Sequence, residues 1–445
     1  MARFFILLAC AGSLLLGACV NESSLPVATG KASVRAINAI EASPDIVFLI
    51  EELSLNQISY KNMSSLQEYD DLDFTFSFDI RFSGDSENTR IASQAISFVA
   101  DQDYTLLVSG TLANASITVW EAAQRTFDAD ATVFQANFAH ASSLLGTVDY
   151  YFAAAGIDPV MGAAVATLSF GEAAPPVDFE AGNYVMIITA AGDPGDVLYT
   201  SVQTTFGIAS VVTILPFDGD ADDNAPVVVR AITAVGTAVT MASADHAATV
   251  QFLHASTDLG IADIYDDEML TSQLIANHAF KELSADVEIS AIENSYRYTP
   301  AGGTSMVTVE GTLNAFPGNR YRFIALGQSG GFTTDAMLLD RRPIDSTVKI
   351  LLYQASFNYA FLNLYAVDPD TTIEGKIPFF VGLATGTEIS SARLAPGIFD
   401  IYVTEFGATE VLAGPVRIDV AFGDVVDMVI FDTVDPALLE IVLFP

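Results

Sequence analysis

A unit of roughly 100 residues recurs four times along this 445-residue chain, and this repeat limits what the chain can fold into. In each copy a Ser or Thr is followed by Val, and an apolar stretch comes next. The four openings are Ala32-Ser33-Val34, Ala131-Thr132-Val133, Ala248-Thr249-Val250 and Ser346-Thr347-Val348. Units of this length are typical of β-sandwich domains. We therefore expect four consecutive sandwiches and not one large domain.

The local pattern of each unit favours strands. Apolar and polar residues alternate, β-branched and aromatic residues are frequent, and Gly, Pro or Asp interrupts the runs. Each unit ends with a strand, a turn and a strand, as at 416–422 and 425–431 around Gly423. Helical periodicity is scarce, and the two best candidates for short helices are 156–169 and 268–280. The sequence therefore predicts an all-β fold.

The four units fall into two pairs. Units two and four share a late turn that leads into an alternating strand, at 179–184 and 394–399, and units one and three lack its glycine. The openings of units one and three lie 216 residues apart, and those of units two and four lie 215 apart. These spacings predict modules in the order A-B-A-B.

The module boundaries follow from the repeat and from local composition. An N-terminal segment, 1–18, and a tether, 19–31, come before the modules, and the longest connector is an acidic linker at 218–247. The other junctions are short, which indicates closely docked neighbours. The predicted modules are 32–128, 129–217, 248–345 and 346–445.

After its apolar stretch, each unit carries a polar residue followed by Ala-Ser. These elements are Glu41-Ala42-Ser43, His140-Ala141-Ser142, His254-Ala255-Ser256 and Gln354-Ala355-Ser356. The pattern resembles the domain-of-unknown-function family 4397, whose Ig-like domains occur in tandem in bacterial secreted and surface proteins. That family has an apolar strand, then His-Ala-Ser-Pro-Asp, and then a strand with alternating aromatic residues. Unit three fits over 254–258 and Ile264-Tyr265, and unit one keeps Ala-Ser-Pro-Asp at 42–45. The resemblance implies tandem Ig-like β-sandwiches and no assigned activity.

The N-terminus has the features of an export signal. Arg3 comes before an apolar stretch, 4–16, which is shorter than the roughly 20 residues of a membrane-spanning helix. The run Leu16-Gly17-Ala18-Cys19 resembles the lipobox of bacterial lipoproteins. This resemblance implies a signal peptide that ends at residue 18 and acyl chains such as palmitate on Cys19. We expect a lipid-anchored protein of the cell envelope. Because Val20 replaces the aspartate that signals inner-membrane retention, we expect the outer membrane.

The composition excludes several classes of function. The chain is 51% hydrophobic and 16% charged, which indicates a folded protein, and its net charge is −37. A surface this acidic repels phosphate backbones, so nucleic acid is excluded as a partner. Cys10 lies in the signal and Cys19 is the lipidation site, so the sequence predicts a mature fold with no disulfide and no cysteine nucleophile.

The linker carries the one motif that could bind a metal. Asp218, Asp220, Asp222 and Asn224 alternate as D-x-D-x-D-x-N, which supplies oxygens at the first, third and fifth positions, as a calcium loop does. The glycine at position six and the flanking helices of an EF-hand are missing. Two hypotheses remain open. Calcium neutralises these carboxylates and stiffens the hinge, or the linker is a solvated acidic segment without a cofactor.

Two histidines occupy equivalent positions of the repeat, His140 and His254. Their counterparts in the other units are Glu41 and Gln354, which share hydrogen-bonding ability with histidine but not its metal chemistry. We therefore predict that all four side chains bridge backbone groups at the end of a strand.

Ser329 lies in the run Gly327-Gln328-Ser329-Gly330-Gly331, which matches G-x-S-x-G. A nucleophile elbow needs a strand before the serine and a helix after it, and the segment 332–339 does not have a helical pattern. Several glycines around one serine suit a hairpin tip instead. We therefore predict no catalytic residue here.

The expected function is non-enzymatic. Repeated sandwiches on a membrane anchor suit adhesion, scaffolding or ligand binding, with the lipid bilayer and an unknown envelope protein or glycan as partners. One alternative is a glycan-active enzyme whose paired carboxylates meet between modules. The other is a structural rod that calcium stiffens.

Overall fold

The chain folds into strands throughout the part that the structure describes. The structure is a computed structural model and describes residues 26–154, 156, 162–290, 292–304 and 306–445. Thirty-five strands in these residues form eight sheets. Two sheets make one sandwich, and four sandwiches follow one another. This confirms the predicted fold class, an all-β chain of tandem β-sandwich modules.

Module one contains nine strands in two sheets. They are β1 (Lys31–Asn38), β2 (Ile46–Ile50), β3 (Leu53–Ile58), β4 (Asn62–Met63), β5 (Gln67–Asp70), β6 (Asp73–Ile80), β7 (Thr89–Ser97), β8 (Gln102–Thr111) and β9 (Asn114–Ala123). One sheet has the order β4-β1-β8-β9, with β5 also paired to β1, and the other has the order β3-β2-β6-β7. Strand β1 lies parallel to β8, and its other partners are antiparallel. Consecutive strands β1 and β2 therefore belong to different sheets.

Module two has the same order of central strands and contains ten strands. Its strands are β10 (Val133–Phe138), β11 (Val148–Ala154), β12 (Ala166–Leu168), β13 (Val177–Glu180), β14 (Gly182–Ala190), β15 (Asp193–Thr200), β16 (Thr204–Phe206), β17 (Val211–Asp218), β18 (Val227–Thr233) and β19 (Ala238–Met241). The sheets are β13-β10-β17-β18-β19 and β12-β11-β14-β15, with β16 paired to β14.

The acidic linker predicted at 218–247 is wrong for most of its length. Strand β18 pairs with β17 from Val212 to Asp218, and β19 extends the same sheet. Module two therefore continues to Met241, and the segment 219–226 is a loop between two of its strands. This loop is longer than the turns that join the corresponding strands of the other modules, β8 to β9, β26 to β27 and β34 to β35. The pairing of β17 with β18 is therefore not evident from the sequence.

Modules three and four repeat the order of module one. Their sheets are β23-β20-β26-β27 with β22-β21-β24-β25, and β31-β28-β34-β35 with β30-β29-β32-β33. The strands of module three are β20 (Ala248–His254), β21 (Ala262–Tyr265), β22 (Gln273–His278), β23 (Val287–Ile289), β24 (Ile292–Pro300), β25 (Val309–Ala315), β26 (Arg320–Leu326) and β27 (Thr333–Leu338). Those of module four are β28 (Val348–Gln354), β29 (Phe361–Val367), β30 (Phe380–Ala384), β31 (Glu388–Leu394), β32 (Gly397–Glu405), β33 (Val411–Val420), β34 (Val425–Asp432) and β35 (Leu439–Phe444).

Two local predictions need correction. The helices expected at 156–169 and 268–280 are wrong, because the described residues of these segments contain β12 and β22 instead. The strand-turn-strand at the end of module four is present, but it is not a hairpin. Strand β33 pairs with β32, and β34 pairs with β28 and β35, so the turn at Gly423 crosses from one sheet to the other.

Alternating apolar side chains close the core of each sandwich. In β10, Phe134, Ala136 and Phe138 are fully buried, while the residues between them are half-buried. Aromatic rings fill much of this core. The rings of Phe152 and Tyr184, on adjacent strands of the opposite sheet, stack with centroids 4.6 Å apart.

The sandwiches also pack against each other in the predicted pairs. Ile37 and Leu107 of module one lie in one buried cluster with Leu215 and Phe217 of module two. A matching cluster joins modules three and four, with Leu253, Ile324, Val429 and Phe431 among its members. The central strands of these sheets are therefore buried on both faces, which explains why a strand such as β28 is buried at every residue.

Candidate functional site

The structure confirms a structural role for three of the four repeat positions. The Nε2 of His140 lies 3.1 Å from the carbonyl oxygen of Gly146, and that of His254 lies 2.6 Å from the carbonyl oxygen of Gly260. Gln354 donates from its Nε2 to the carbonyl of Tyr359. All three side chains are buried, and burial lowers the pKa of both histidines. These groups hold the loop after the first strand of modules two, three and four.

The fourth position, Glu41, was assigned wrongly. In modules two to four, the backbone carbonyl of the repeat residue accepts a hydrogen bond from the N–H of a residue with positive φ. In module one the carbonyl that accepts the equivalent hydrogen bond is that of Asn38. The Nδ2 of Asn38 donates to Ile58 O at 3.0 Å, whereas Glu41 is exposed. Aligning the units on Ala42-Ser43 therefore picks Glu41, which lies three residues after the true equivalent, Asn38. The donors to these four carbonyls are Lys61, Gly171, Lys281 and Gly386.

Ser329 lies at a hairpin tip, as predicted. Strands β26 and β27 form the hairpin, and Gly327 and Gly330 adopt φ values of 104° and 94° at its turn. The backbone N–H of Ser329 donates to Asp258 Oδ2 at 2.9 Å. No helix follows the serine, so the arrangement of a nucleophile elbow is absent from this part of the described chain.

The four residues of the alternating acidic motif point to different partners. Asp218 accepts hydrogen bonds from the backbone of Ser143 and Leu144, and Asp222 accepts one from the N–H of Arg342 at 3.0 Å. Among the described residues, no group of three or more His, Cys, Asp or Glu side chains is arranged to hold a metal ion. Calcium binding at this motif therefore stays a prediction. Asn224 contacts Arg320 Nε at 2.8 Å and the carbonyl of Ala247.

A lysine that the sequence analysis missed binds this loop. Lys61 Nζ lies 3.0 Å from Asp220 Oδ2 and also contacts Asp223, and all three side chains are largely buried. Burial raises the pKa of Asp223, and it raises the pKa of Asp222 to about 6. The loop thus joins modules one, two and three and is not a solvated segment. A single lysine in a turn gives no sequence signal for this role.

Two cavities flank Arg342 where the modules meet. One has a volume of about 530 Å³ and is lined by Tyr60, Lys61 and Asp223 among others. The other has a volume of about 650 Å³ and lies between module one, the connector that leads into β28, and module four. Cavities of this size are typical of small-molecule sites. We define the second one as the junction cavity.

Cations are concentrated in the junction cavity. Arg81, Arg342, Lys349 and Arg393 line it, which is four of the 18 lysine and arginine residues of the chain. Arg342 Nη1 donates to the carbonyls of Glu41 and Ser43 at 2.5 and 2.8 Å and so ties this connector to module one. The two carboxylates in the lining are Asp45 and Asp340.

The predicted lipidation site Cys19 lies outside the described residues, as does the predicted signal peptide, 1–18. Within the described part, no helix has the length and apolar character needed to cross a bilayer. Neither a protein-family model nor a curated protein matches the chain, so the resemblance to family 4397 stays a prediction.

Among solved structures, the chain is similar to the Bacillus anthracis TIE protein, with 9% identity and a TM-score of 0.16, over 91% of this chain and 68% of that one. It is also similar to a multi-modular glycogen-degrading pneumococcal virulence factor, SpuA, with 8% identity and a TM-score of 0.16, over 86% of this chain and 37% of that one. A candidate cell adhesion protein from Bacteroides fragilis has 11% identity and a TM-score of 0.12, over 70% of this chain and 97% of that one. Likeness this weak assigns no function.

Proposed function

We propose that this chain is a non-enzymatic lipoprotein of the cell envelope that binds a ligand where its modules meet. The observation that supports the proposal best is the junction cavity, which forms between modules one and four and the connector between modules three and four. Backbone hydrogen bonds hold its walls together, because Ser83 N donates to Ser346 O at 2.8 Å and Asp345 N donates to Ala42 O at 2.9 Å. A cavity with walls fixed in this way is formed before the ligand arrives, which lowers the entropy cost of binding.

The rest of the molecule suits a support for this cavity. The repeated polar residues of modules two to four bind loop carbonyls. Apolar clusters pack module one against module two and module three against module four. A lipid anchor at Cys19 would then hold a rigid block of four modules at the membrane. Adhesion and scaffolding belong to the same proposal, since each needs a rigid surface at a fixed distance from the bilayer.

Binding is tested with a panel of purified envelope glycans. We expect saturable retention of at least one glycan with no change in its chain length. Asn88→Trp places a large ring at the rim of the junction cavity and is expected to lower the affinity at least ten-fold, roughly 1.4 kcal/mol. Asn183→Trp, at an exposed position of β14 in module two, which contributes no residue to the cavity lining, is the matched control. Shortening of the glycan would point to the enzyme alternative, and no retention of any glycan would contradict the proposal.

Anchoring is tested by Cys19→Ser. Two or more acyl chains hold a protein stably on a bilayer, because each buried methylene contributes roughly 0.8 kcal/mol. We expect the unaltered protein in the membrane fraction and the variant almost entirely in the soluble fraction. Cys10→Ser, which changes the other cysteine of the chain, is the control and is expected to stay with the membrane. Equal membrane retention of both variants would contradict lipidation at Cys19.

A further inference from the structure

We propose that the junction cavity binds an oxyanion, the phosphate or carboxylate group of an acidic envelope glycan. This inference rests on the proposed function and names the chemistry of its ligand. The chain carries 55 acidic and 18 basic side chains, yet the cavity lining holds four basic and two acidic ones. The charge of this site is thus opposite in sign to that of the molecule.

Two of the four cations have no carboxylate partner among the described residues. Arg393 Nη1 donates to the carbonyl of Ala392 at 3.0 Å, and Arg81 Nε donates to the carbonyl of Asp85 at 3.0 Å. Lys349 is different, because its Nζ lies 2.5 Å from Asp340 Oδ1, and that contact neutralises both groups. Each arginine keeps further N–H groups in a planar fork, the geometry that matches phosphate and carboxylate oxygens.

A buried hydroxyl supplies an independent observation. Ser346 lines the cavity, is only 1% exposed, and its Oγ has no hydrogen-bond partner in the described part of the chain. Buried polar groups without partners are rare and call for an explanation. A hydroxyl can donate to an oxyanion held by the neighbouring arginines, and this would satisfy it.

The neutral groups of the lining fit a sugar. Gln57, Ser59, Ser83 and Asn88 line the cavity, and their amides and hydroxyls match the donors and acceptors of a ring with several hydroxyl groups. The acidic exterior does not prevent binding of a small anion. At physiological ionic strength charges are screened over roughly 8 Å, so a ligand inside the cavity interacts mainly with the groups that line it.

The test is calorimetric titration of the full mature chain in detergent with inorganic phosphate, glucuronic acid and glucose. We expect one saturable site for phosphate, for glucuronic acid or for both, and none for glucose. Binding of phosphate alone would identify a phosphorylated glycan as the ligand source, and binding of glucuronic acid alone would identify a carboxylated one. Saturable glucose binding, or no binding of either anion, would overturn the inference.

Variants locate the site. Arg393→Gln is expected to lower the affinity for the anion at least ten-fold. Arg81→Gln is expected to lower it three-fold or more, and because Arg81 is exposed, this substitution should not affect folding. Arg417→Gln is the control, since this arginine pairs with Asp370 and Asp400 outside the cavity. Unchanged affinity in both cavity variants would place the anion elsewhere. If the protein binds a neutral glycan but neither anion, only the present inference fails, whereas a chain that retains no glycan contradicts the proposed function itself.

Discussion

Asp427→Ala is expected to lower the free energy of unfolding by about 3–5 kcal/mol, because it leaves the charge of Arg322 buried without a partner. The two side chains are only 2% and 3% exposed and form a two-point ion pair, with Nη2–Oδ2 at 2.6 Å and Nη1–Oδ1 at 3.0 Å. The pair lies between the sheets of modules three and four, among the apolar side chains that join them. Water cannot replace the lost carboxylate there.

The measurement is urea unfolding of the full chain, followed at the transition that includes modules three and four. Asp370→Ala is the matched control, since Asp370 pairs with Arg417 at 2.7 Å but its side chain is 84% exposed, and such pairs contribute about 0–1 kcal/mol. The double variant Arg322→Met, Asp427→Leu is expected to recover most of the loss, because no charge is then buried. A loss below about 1 kcal/mol in Asp427→Ala would contradict this account of the interface.

The first pair of modules has a polar layer at the same place with different residues. Arg35 is buried there and donates to Thr105 Oγ1 at 2.9 Å and to Thr213 Oγ1 of module two at 2.8 Å. Strand registers place Arg35 opposite Thr105, just as Gln251 lies opposite Arg322 in module three. The buried arginine therefore lies on the first strand, β1, in modules one and two, and on the neighbouring strand, β26, in modules three and four. Sequence comparison of the units could not find this layer, because no single position keeps its charge.

The sequence predicted what depends on local patterns. Four openings with similar sequences located the first strands β1, β10, β20 and β28 to within about two residues. The glycines around Ser329 identified a hairpin, because positive φ is a local requirement. The closing strand β18 was missed, since the eight-residue loop 219–226 and the charge of Arg230 made the segment resemble a connector.

The candidate site could not have been predicted in the same way. The junction cavity combines residues near 45, 81, 345 and 393, which belong to two modules and a connector. The segments near 45 and 345 carry elements of the repeat, Ala-Ser-Pro-Asp at 42–45 and the opening Ser346-Thr347-Val348, which predict the fold and not a ligand site. Arg393 and Arg81 are ordinary polar residues in their own strands and loops. What makes them a site is the docking of modules one and four, which depends on contacts between parts of the chain about 260 residues apart, such as Ser83 with Thr347.

Acidification is expected to destabilise module three through His278. Burial and, to a smaller extent, the neighbouring His254, whose ring centroid lies 5.8 Å away, together lower the pKa of this histidine from 6.5 to about 4, while Glu282 opposes the change. Both ring nitrogens lack a hydrogen-bond partner in the described residues. Between pH 6.5 and 4 the unfolded chain binds the proton more strongly than the folded one. The stability is therefore complete above pH 6.5 and falls as the pH decreases through 4.

His278→Phe removes this dependence and keeps a planar ring. Since one pKa unit corresponds to roughly 1.4 kcal/mol, the protein should lose about 3 kcal/mol between pH 7 and pH 4 that the variant does not lose. The measurement is urea unfolding at a series of pH values, and the difference between the two proteins isolates His278 because all other groups are shared.

Glu388→Gln is a control of opposite sign. Burial raises the pKa of Glu388 to about 7, so its contribution is complete below pH 4.5 and falls as the pH increases through 7. This variant should therefore gain stability relative to the unaltered protein at pH 8 but not at pH 4, and a parallel pH profile for His278→Phe and the unaltered protein would show that the buried histidine does not govern the acid response.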